Sequence, residues 1–357
     1  MNQQRLARVL RNMERDGLEQ IVVTSTASVY YLTGYWVEPM ERMLALYLRA
    51  DGTCTLFANT LFALEPQEGL ELVLHQDSDE PTAALAAALR PGRLGVDKAW
   101  PSKFLIALLN ARPDVTPVLG SAPVDDARKY KDADEIAAMR HASRINDQVV
   151  EQVIAAVKEG AVESELAAYV ESLYRQHGAD RSSEGQLVCF GPNGADPHHG
   201  PNDTVLKDGD SVVLDIFIPI RRYWCDMTRT VFFRSVSDEG RRVYETVRAA
   251  NLAAEAMIRP GVPMKDIDRA ARQVIEDAGY GPCFTHRLGH GCGLDCHEPP
   301  DNSASSPAIA EPGMVFSVEP GIYLPGKLGV RIEDLVLVTE DGCEVLNHAS
   351  KELRVVE

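Results

Sequence analysis

The stretch V-V-L-D-I-F-I-P-I-R-R-Y-W-C-D-M-T-R-T-V, from Val212 to Val231, has the pattern of a β-hairpin that carries two acids. It places one acid, Asp215, inside an apolar strand, and a second, Asp226, on the strand that returns after a turn near Ile220 and Arg221. In a tight hairpin the two carboxylates become cross-strand neighbours on one face. Like charges placed in this way destabilise the pair unless a positive charge lies between them. The stretch therefore predicts a hairpin that binds a cation.

A second stretch repeats this design with two glutamates. S-V-E-P-G-I-Y-L-P-G-K-L-G-V-R-I-E-D-L-V, from Ser317 to Val336, carries Glu319 and Glu333 on either side of a turn centred on Gly326. A single acid in a strand is more often a turn or edge residue, but four acids in matched hairpins favour one shared site. Carboxylates cannot stay ionised together in a dry site without cations, and hard divalent ions prefer oxygen ligands. Two divalent ions would balance the four charges.

Histidines are concentrated near these acids in the sequence. The segment T-H-R-L-G-H-G-C-G-L-D-C-H-E-P-P, from Thr285 to Pro300, contains His286, His290 and His297 among glycines that permit close backbone approach. An imidazole can bind a metal ion or donate a proton. A polar loop carries a further pair, His198 and His199, for which a solvated loop position is the competing interpretation.

The chain also repeats itself weakly at an offset of 101 residues. The segment from Val157 to Gly178 and the segment from Ile258 to Gly279 both predict a helix end, a glycine turn, a second helix and a glycine stop. β-rich sequence follows each segment. A duplicated unit of two helices and a hairpin is the simplest explanation, and chance similarity between amphipathic helix pairs is the alternative.

The N-terminal part alternates helical and strand patterns, which predicts an α/β domain. A helix ends at Gly17, a strand covers residues 21–24, and a hairpin runs from Met43 to Ala58. Composition then changes at the stretch from Gly120 to Pro123, which we interpret as a linker. The predicted domains are residues 1–122 and residues 123–357.

Bulk composition excludes several classes of partner. A net charge of -17 disfavours nucleic acid, because that affinity comes largely from lysine and arginine. No apolar run approaches the ~18 residues that span a bilayer, and the first residues predict an amphipathic helix instead of a signal peptide. The seven cysteines form no C-x-x-C pair, which indicates reduced thiols. We expect a soluble, cytoplasmic protein with no nucleic-acid or membrane partner.

These motifs resemble the metallopeptidase family of prolidase, aminopeptidase P, methionine aminopeptidase and the related creatinase. The stretches L-D-I, D-M-T-R-T, G-H-G-C-G-L-D-C-H-E, V-E-P-G-I-Y and V-R-I-E-D stand here in the family's order. The resemblance implies an α+β fold. A C-terminal pita-bread catalytic domain with an internal pseudo-two-fold duplication would follow a smaller α/β domain of the creatinase/prolidase type.

The resemblance also implies the residues of the site. Five residues would bind two divalent ions, namely Asp215, Asp226, His290, Glu319 and Glu333. Asp226 and Glu333 would bridge the ions, which we expect to be manganese, with cobalt or zinc as alternatives. The catalytic residues would be His198, His297, Glu319 and Arg331, and the two histidines would also contact substrate. Thr228 is a candidate for orienting a ligand carboxylate.

The implied activity is metal-dependent hydrolysis of Xaa-Pro bonds in short peptides by a hydroxide held between the ions, as in an Xaa-Pro dipeptidase or prolidase. An aminopeptidase P is the alternative. A creatinase-like hydrolase works without metal, and a non-enzymatic binding protein could use the same fold, but the intact ligand set argues against both. Methionine aminopeptidase has no large N-terminal α/β domain.

Family members usually form homodimers in which the N-terminal domain leans over the partner's site. Tyr35, Trp36 and Arg42 lie on a segment that could do so, although core or hairpin packing is an equal explanation for the aromatics. Some prolidases carry an arginine four residues after the histidine matching His297, where this chain has Asp301. An acid there would repel a substrate's terminal carboxylate. Either another cation binds it, for which Arg42 is the candidate, or longer peptides are preferred.

Overall fold

The computed structural model describes residues 1–182 and 185–357. Within these residues the chain divides into two compact units, Met1–Arg128 and Lys129–Glu357. The sequence placed the division between residues 122 and 123, whereas the N-terminal unit continues through one more helix to Arg128. Among residues 1–182 and 185–357, no helix combines the length and the apolar character that a membrane crossing requires.

The N-terminal unit is a six-stranded sheet with accompanying helices, which confirms the predicted α/β domain. Its strands are β1 (Gln20–Val23), β2 (Ala45–Arg49), β3 (Cys54–Asn59), β4 (Glu71–His75), β5 (Gly92–Val96) and β6 (Val115–Leu119). Its helices are α1 (Gln3–Arg15), α2 (Thr26–Thr33), α3 (Pro81–Ala88), α4 (Ser102–Ala111) and α5 (Ala122–Arg128). The strand order is β4-β3-β2-β1-β5-β6, and β2 is antiparallel to both neighbours, while the other pairs are parallel.

Two glycines explain how the chain turns at the end of this unit. A Cβ atom at Gly120 would lie 2.4 Å from the backbone of Gly95, so a larger residue would not fit without movement. The following α5 packs against α1, and Asn12 donates from Nδ2 to the carbonyl of Pro123 at 2.8 Å. The stretch that resembles a linker is therefore a tight turn into the last helix of the unit.

The C-terminal unit contains two helix pairs that match at the predicted offset. The pairs are α6 (Ala133–Ala156) with α7 (Glu163–Gln176), and α8 (Asp238–Met257) with α9 (Met264–Asp277). The ends of α6 and α8 differ by 101 residues, and so do the starts of α7 and α9. Gly160 and Gly261 occupy the two connections with φ values of 79° and 87°, a region that favours glycine. The helices confirm the predicted duplication.

Each helix pair packs on its own sheet. The strands of the unit are β7 (Leu187–Phe190), β8 (Ser211–Ile220), β9 (Tyr223–Phe233), β10 (Gly289–Gly291), β11 (Glu298–Asn302), β12 (Val315–Val318), β13 (Gly321–Leu324), β14 (Leu328–Arg331), β15 (Asp334–Val338), β16 (Cys343–Val345) and β17 (Val355–Val356). Among the described residues they form sheets in the orders β17-β9-β8-β7 and β11-β10-β12-β15-β16, with β13 and β14 as a separate pair.

Two apolar cores hold these layers together. Val149 of α6 and Val170 of α7 pack in one cluster with Leu214 of β8. Ile267 of α9 and Phe316 of β12 belong to the other cluster. Full burial of an apolar side chain of this size contributes about 1.5 to 3 kcal/mol. The strands that carry or flank the four acids are therefore supported on one side by packed helices.

Candidate active site

The first acidic hairpin is formed by β8 and β9. Asp215 lies opposite Thr228, and Asp226 lies opposite Phe217, so the two acids are diagonal neighbours on one face. The sequence predicted a turn centred near Ile220 and Arg221 with the acids directly opposite, and that register is wrong. The turn is centred between Arg221 and Arg222, both with positive φ (54° and 74°), which shifts the pairing along the strand.

Glu319 and Glu333 face each other in the gap between the β12–β15 and β13–β14 strand pairs. Val318 of β12 pairs with Asp334 of β15, and further along Gly321 pairs with Arg331 in the β13–β14 ladder. Glu319 and Glu333 occupy the intervening register positions next to Pro320, which has no N–H to donate. The Glu333 amide instead donates to the carbonyl of Thr228 at 3.0 Å, which ties the second acidic pair to the first hairpin.

Glycines bring the histidine segment against the glutamates. A Cβ atom at Gly289 would lie 2.1 Å from the Ser317 carbonyl oxygen, so β10 packs closer to β12 than any side chain would allow. On β10, the Nε2 atom of His290 lies 3.4 Å from Glu319 Oε1 and 3.7 Å from Asp226 Oδ2. The His297 ring lies edge-on to that of His290, with the centroids 4.0 Å apart.

These residues line one cavity with a volume of about 360 Å³. Its lining includes eight of the sequence-predicted site residues, which are His198, Asp215, Asp226, His290, His297, Glu319, Arg331 and Glu333. Leu187, Phe217, Cys296, His286 and Arg287 also line it. The volume falls at the lower end of the ~300 to 1,000 Å³ that is usual for ligand pockets, which suits a small substrate.

Burial raises the pKa values of three carboxyl groups in the cavity, those of Asp226, Glu319 and Glu333. Desolvation, then repulsion from Asp215 and Glu319, raises the pKa of Asp226 well above its usual range. Desolvation, then repulsion from Asp226, does the same to the pKa of Glu333. The pKa of Glu319 rises to about 7, mainly through burial. Burial, followed by the charge of His297, lowers the pKa of His290 to about 3, so this imidazole is neutral at physiological pH.

These residues fit a divalent cation. Asp226, His290 and Glu333 each offer a ligand atom, and the three atoms lie within 4.8 Å of one another. The Oδ1 atom of Asp215 is buried and accepts no hydrogen bond from the described residues. Carboxylate oxygens and a neutral imidazole nitrogen are the donors that manganese and zinc take. A bound cation would stabilise the ionised acids and use the Asp215 oxygen.

A hydrogen-bonded chain that starts from Arg331 supports two of the acids. Arg331 donates from Nη2 to Asp215 Oδ2 at 2.6 Å and from Nε to Thr228 Oγ1 at 3.0 Å. The Thr228 hydroxyl in turn donates to Glu333 Oε2 at 2.7 Å. Arg331 Nη1 donates to the Tyr323 hydroxyl at 2.9 Å. One arginine therefore fixes the orientation of an acid from each hairpin.

Sequence reasoning missed two residues that hydrogen-bond to groups of the site, Tyr323 and Ser317. The Tyr323 hydroxyl lies 2.8 Å from His286 Nε2, which extends the chain to the rim of the cavity. The Ser317 hydroxyl donates to Glu319 at 3.0 Å. The stretch V-E-P-G-I-Y contained the tyrosine, but nothing in a strand pattern distinguishes a hydrogen-bonding tyrosine from a packing one.

The three predicted residues of the N-terminal unit have partners inside that unit. The Tyr35 hydroxyl donates to a backbone carbonyl, and Trp36 donates from Nε1 to a glutamate side chain at 3.3 Å. Arg42 donates to Asp77 through Nε and Nη2, both at 2.8 Å. Their contribution to substrate binding stays a prediction.

Comparisons with known proteins agree along the whole chain. A sequence model of metallopeptidase family M24 matches residues 137–340, and a model of the Creatinase/Prolidase N-terminal domain matches residues 5–130. An uncharacterized peptidase of Staphylococcus aureus strain USA300 is 35% identical over 357 residues, covering 97% of this chain and 99% of that protein.

Solved structures give the same result. The crystal structure of recombinant prolidase from Thermococcus sibiricus is similar, with 35% identity, a TM-score of 0.94 and coverage of 100% of both chains. A dipeptidase from Mycobacterium ulcerans is 36% identical, with a TM-score of 0.91 and coverage of 99% of this chain and 97% of that chain.

Proposed function

Because this chain belongs to metallopeptidase family M24, we propose that it is an Xaa-Pro dipeptidase, a prolidase that hydrolyses the bond before proline in short peptides. The observation that carries the proposal is the match over the full length of both chains to a prolidase, at 35% identity and a TM-score of 0.94. A small cavity with four acids and four histidines supports it.

The cation site is proposed to hold two divalent ions. Their ligands would be Asp215, Asp226, His290, Glu319 and Glu333. Asp226 and Glu333 would be shared between the ions, as the resemblance to the family implies, and both carboxyls are buried beside the other acids of the cavity. Bound ions of this kind polarise a peptide carbonyl and lower the pKa of water towards neutrality. Manganese is the proposed metal, with cobalt or zinc as alternatives.

The side chains of the cavity have distinct proposed roles. Glu319, with a pKa of about 7, can hold a proton near neutral pH and pass it to the leaving nitrogen. Burial, and then the charge of Arg287, lowers the pKa of His297, so its ring is neutral and can donate one N–H to the substrate carbonyl oxygen. His198 lines the same cavity and is proposed to assist it. Arg331 and Thr228 hold Asp215 and Glu333 in place.

The proposal extends to the state of the protein in the cell. All seven cysteines carry free thiols, which supports a cytoplasmic setting. We propose a homodimer in which Tyr35, Trp36 and Arg42 contribute to the partner's site. The alternative function, Xaa-Pro aminopeptidase, is favoured by one observation: Asp301 stands where some prolidases carry the arginine suited to a free C-terminal carboxylate.

Hydrolysis of Gly-Pro, Ala-Pro and Ala-Pro-Ala by the purified protein tests this proposal. We expect the two dipeptides to be cleaved faster than the tripeptide, with loss of activity after chelation and recovery on adding manganese, because the four acids need cations to stay ionised together. Metal analysis should give two ions per chain. Faster cleavage of the tripeptide would make aminopeptidase P the better assignment, and full activity of metal-stripped protein would contradict the metal site.

A further inference from the structure

A dipeptide in the cavity would place its C-terminal carboxylate near a cationic side chain. Of the two arginines that line the cavity, Arg331 is already paired with Asp215. In the described part of the chain, Arg287 and Arg331 are the basic residues other than histidine that line the cavity. All three nitrogens of the buried Arg331 guanidinium donate to groups of the acidic network, including Asp215 and Thr228. The charge of Arg331 is therefore engaged by Asp215, and its orientation is fixed by this network.

Arg287 is different, because most of its guanidinium is open. Its Nη1 donates to Asp301 Oδ1 at 2.8 Å, and residues 1–182 and 185–357 provide no further hydrogen-bond acceptor for its side chain. The side chain is 43% exposed, so it lies at the mouth of the cavity and not within it. Its backbone is fixed, since the carbonyl of Arg287 accepts from the Nδ1 of His286 at 2.7 Å. A planar fork with free donors at this place suits a carboxylate.

Asp301 does not present a bare negative charge to a substrate. It lies opposite His290 in the β10–β11 register, at the edge of the site. Its Oδ1 accepts from Arg287, and its Oδ2 accepts from the Ser303 hydroxyl. Both oxygens are occupied, and the pair with Arg287 has no net charge. Asp301 alone would repel a terminal carboxylate, but here it orients Arg287, which can bind one.

Resting on the proposed dipeptidase function, we propose that Arg287, held by Asp301, binds the C-terminal carboxylate of Xaa-Pro dipeptides. The arginine that some prolidases carry at the position of Asp301 is thus replaced by one fourteen residues earlier on the neighbouring segment. Arg287 becomes a specificity-determining residue that favours dipeptides over longer or C-terminally blocked peptides.

The electrostatics of the site agree with this placement. Burial first, and then the positive charge of Arg287, lowers the pKa of His297. The same charge is among the smaller causes that act on the pKa values of His290 and Glu319, after burial in each case. The guanidinium therefore lies close enough to these side chains to influence their charge.

The test compares Ala-Pro with its C-terminal amide in the wild-type protein and in Arg287→Gln, with manganese present. Loss of a charged hydrogen bond typically costs a factor of about 10 to 100 in binding. We expect the ratio of kcat/KM for Ala-Pro to that for the amide to fall about 10- to 100-fold in the variant. For Ala-Pro the fall should come from KM with little change in kcat, as expected for a contact made equally in ground and transition states.

Two further variants make the result specific. The charge exchange Arg287→Asp with Asp301→Arg keeps the ion pair and moves the cation to the position used by some prolidases, so it should recover much of the lost preference. Arg140→Gln is the matched control, because Arg140 is paired with Glu344, is 44% exposed and does not line the cavity. Unchanged metal content and melting temperature in each variant would show that folding is preserved.

The outcomes separate this inference from the proposed function. If the wild-type protein cleaves Ala-Pro but Arg287→Gln keeps the same dipeptide-to-amide ratio, the assignment of Arg287 is wrong and the dipeptidase function stands. If Arg42→Ala lowers the ratio and Arg287→Gln does not, the carboxylate is bound by Arg42. If the wild-type protein cleaves no Xaa-Pro dipeptide, both proposals are overturned.

Discussion

Ionising the buried carboxyls of Asp226 and Glu333 costs free energy in a protein without bound metal. Burial, and then repulsion from neighbouring acids, raises the pKa values of both carboxyls well above the usual range. A buried carboxylate that lacks a counter-charge takes up a proton instead of staying ionised. In the metal-free protein the acids therefore share protons, and a cation must displace these protons to bind. Metal binding and proton release are coupled at this site.

This coupling predicts that metal affinity rises with pH. Glu319 has a pKa of about 7 in the metal-free fold, raised mainly by burial, so below that pH it is protonated and a cation competes with its proton. Each pH unit below 7 should lower the apparent affinity up to about tenfold for one displaced proton, and the effect of Glu319 should vanish above pH 7. His290, with its pKa lowered to about 3 by burial, stays neutral throughout and does not oppose the trend.

Calorimetric titration with manganese at pH 5.5, 6.5 and 7.5 would measure this coupling. Each titration would be repeated in two buffers of different ionisation enthalpy, which counts the protons released. The Glu319→Gln variant is the control, since it removes one titrating group and should reduce the pH dependence. An affinity that is the same at all three pH values, with no proton release, would contradict the coupling.

The four acids stand out in the sequence because carboxylates are unusual in apolar hairpins, whereas the choice of His290 among three nearby histidines rests on the resemblance to the family. Asp215 stands inside an apolar strand, and His290 stands between glycines. Tyr323 and Arg287 could not be predicted, because a tyrosine in a strand and an exposed arginine are ordinary residues. Only the fold shows that the tyrosine contacts His286 and that the arginine lines the cavity.

At the scale of elements, the helices were easier to predict than the strand register. The helical spacing of apolar residues and the glycines at positive φ placed α6 to α9 correctly, because both signals are local. The centre of the β8–β9 turn lies one residue later than predicted, which shifts the pairing by two residues, because two arginines, and not glycine or asparagine, adopt positive φ in the turn. Such a turn is imposed by the strands that flank it, and no local pattern reveals it.

The approach of β10 to β12 yields a prediction about Gly289. In Gly289→Ala the new Cβ would meet the Ser317 carbonyl oxygen at 2.1 Å, so the strands must move apart and carry His290 away from Glu319. We expect the free energy of unfolding of the metal-free protein to fall by about 1 to 3 kcal/mol, in the range typical of overpacking. Metal content should fall as well, because His290 loses its position.

Urea unfolding and metal analysis would check this, with Gly342→Ala as the matched control. A Cβ atom at Gly342 meets nothing within 4 Å, so that variant should change stability by less than about 0.5 kcal/mol. Equal unfolding midpoints for the two variants would show that the strands tolerate a wider spacing. Full metal content in Gly289→Ala would show that His290 does not depend on this contact.

At the scale of the whole molecule, the sequence predicted two domains but placed their division earlier than the structure does. The seven residues of α5 form too short a helix for a clear apolar period, and the turn before them has the composition of a linker. What ties α5 to the N-terminal unit is its packing against α1. Contacts between residues more than a hundred positions apart cannot be read from local composition.

The last prediction concerns the proposed homodimer, in which Arg42 contributes to the partner's site. Arg42 is bound to Asp77 in an exposed pair, and such pairs are weak enough to let Arg42 add a secondary contact to a dipeptide whose carboxylate Arg287 binds. Arg42→Ala should therefore raise KM for Ala-Pro. His297→Ala, which removes a proposed oxyanion donor, should lower kcat about 10²- to 10³-fold and keep the metal.

Mixed dimers made by co-expressing Arg42→Ala and His297→Ala chains distinguish the two possible routes. If Arg42 acts on the partner, the intact site of the Arg42→Ala chain receives its arginine from the other chain. The mixed dimer then shows the wild-type KM with half of the active sites. If Arg42 acts within its own chain, the same dimer keeps the raised KM of the Arg42→Ala parent. A monomer by sedimentation at assay concentration, or a wild-type KM in the Arg42→Ala parent, would contradict the proposal before any mixing is done.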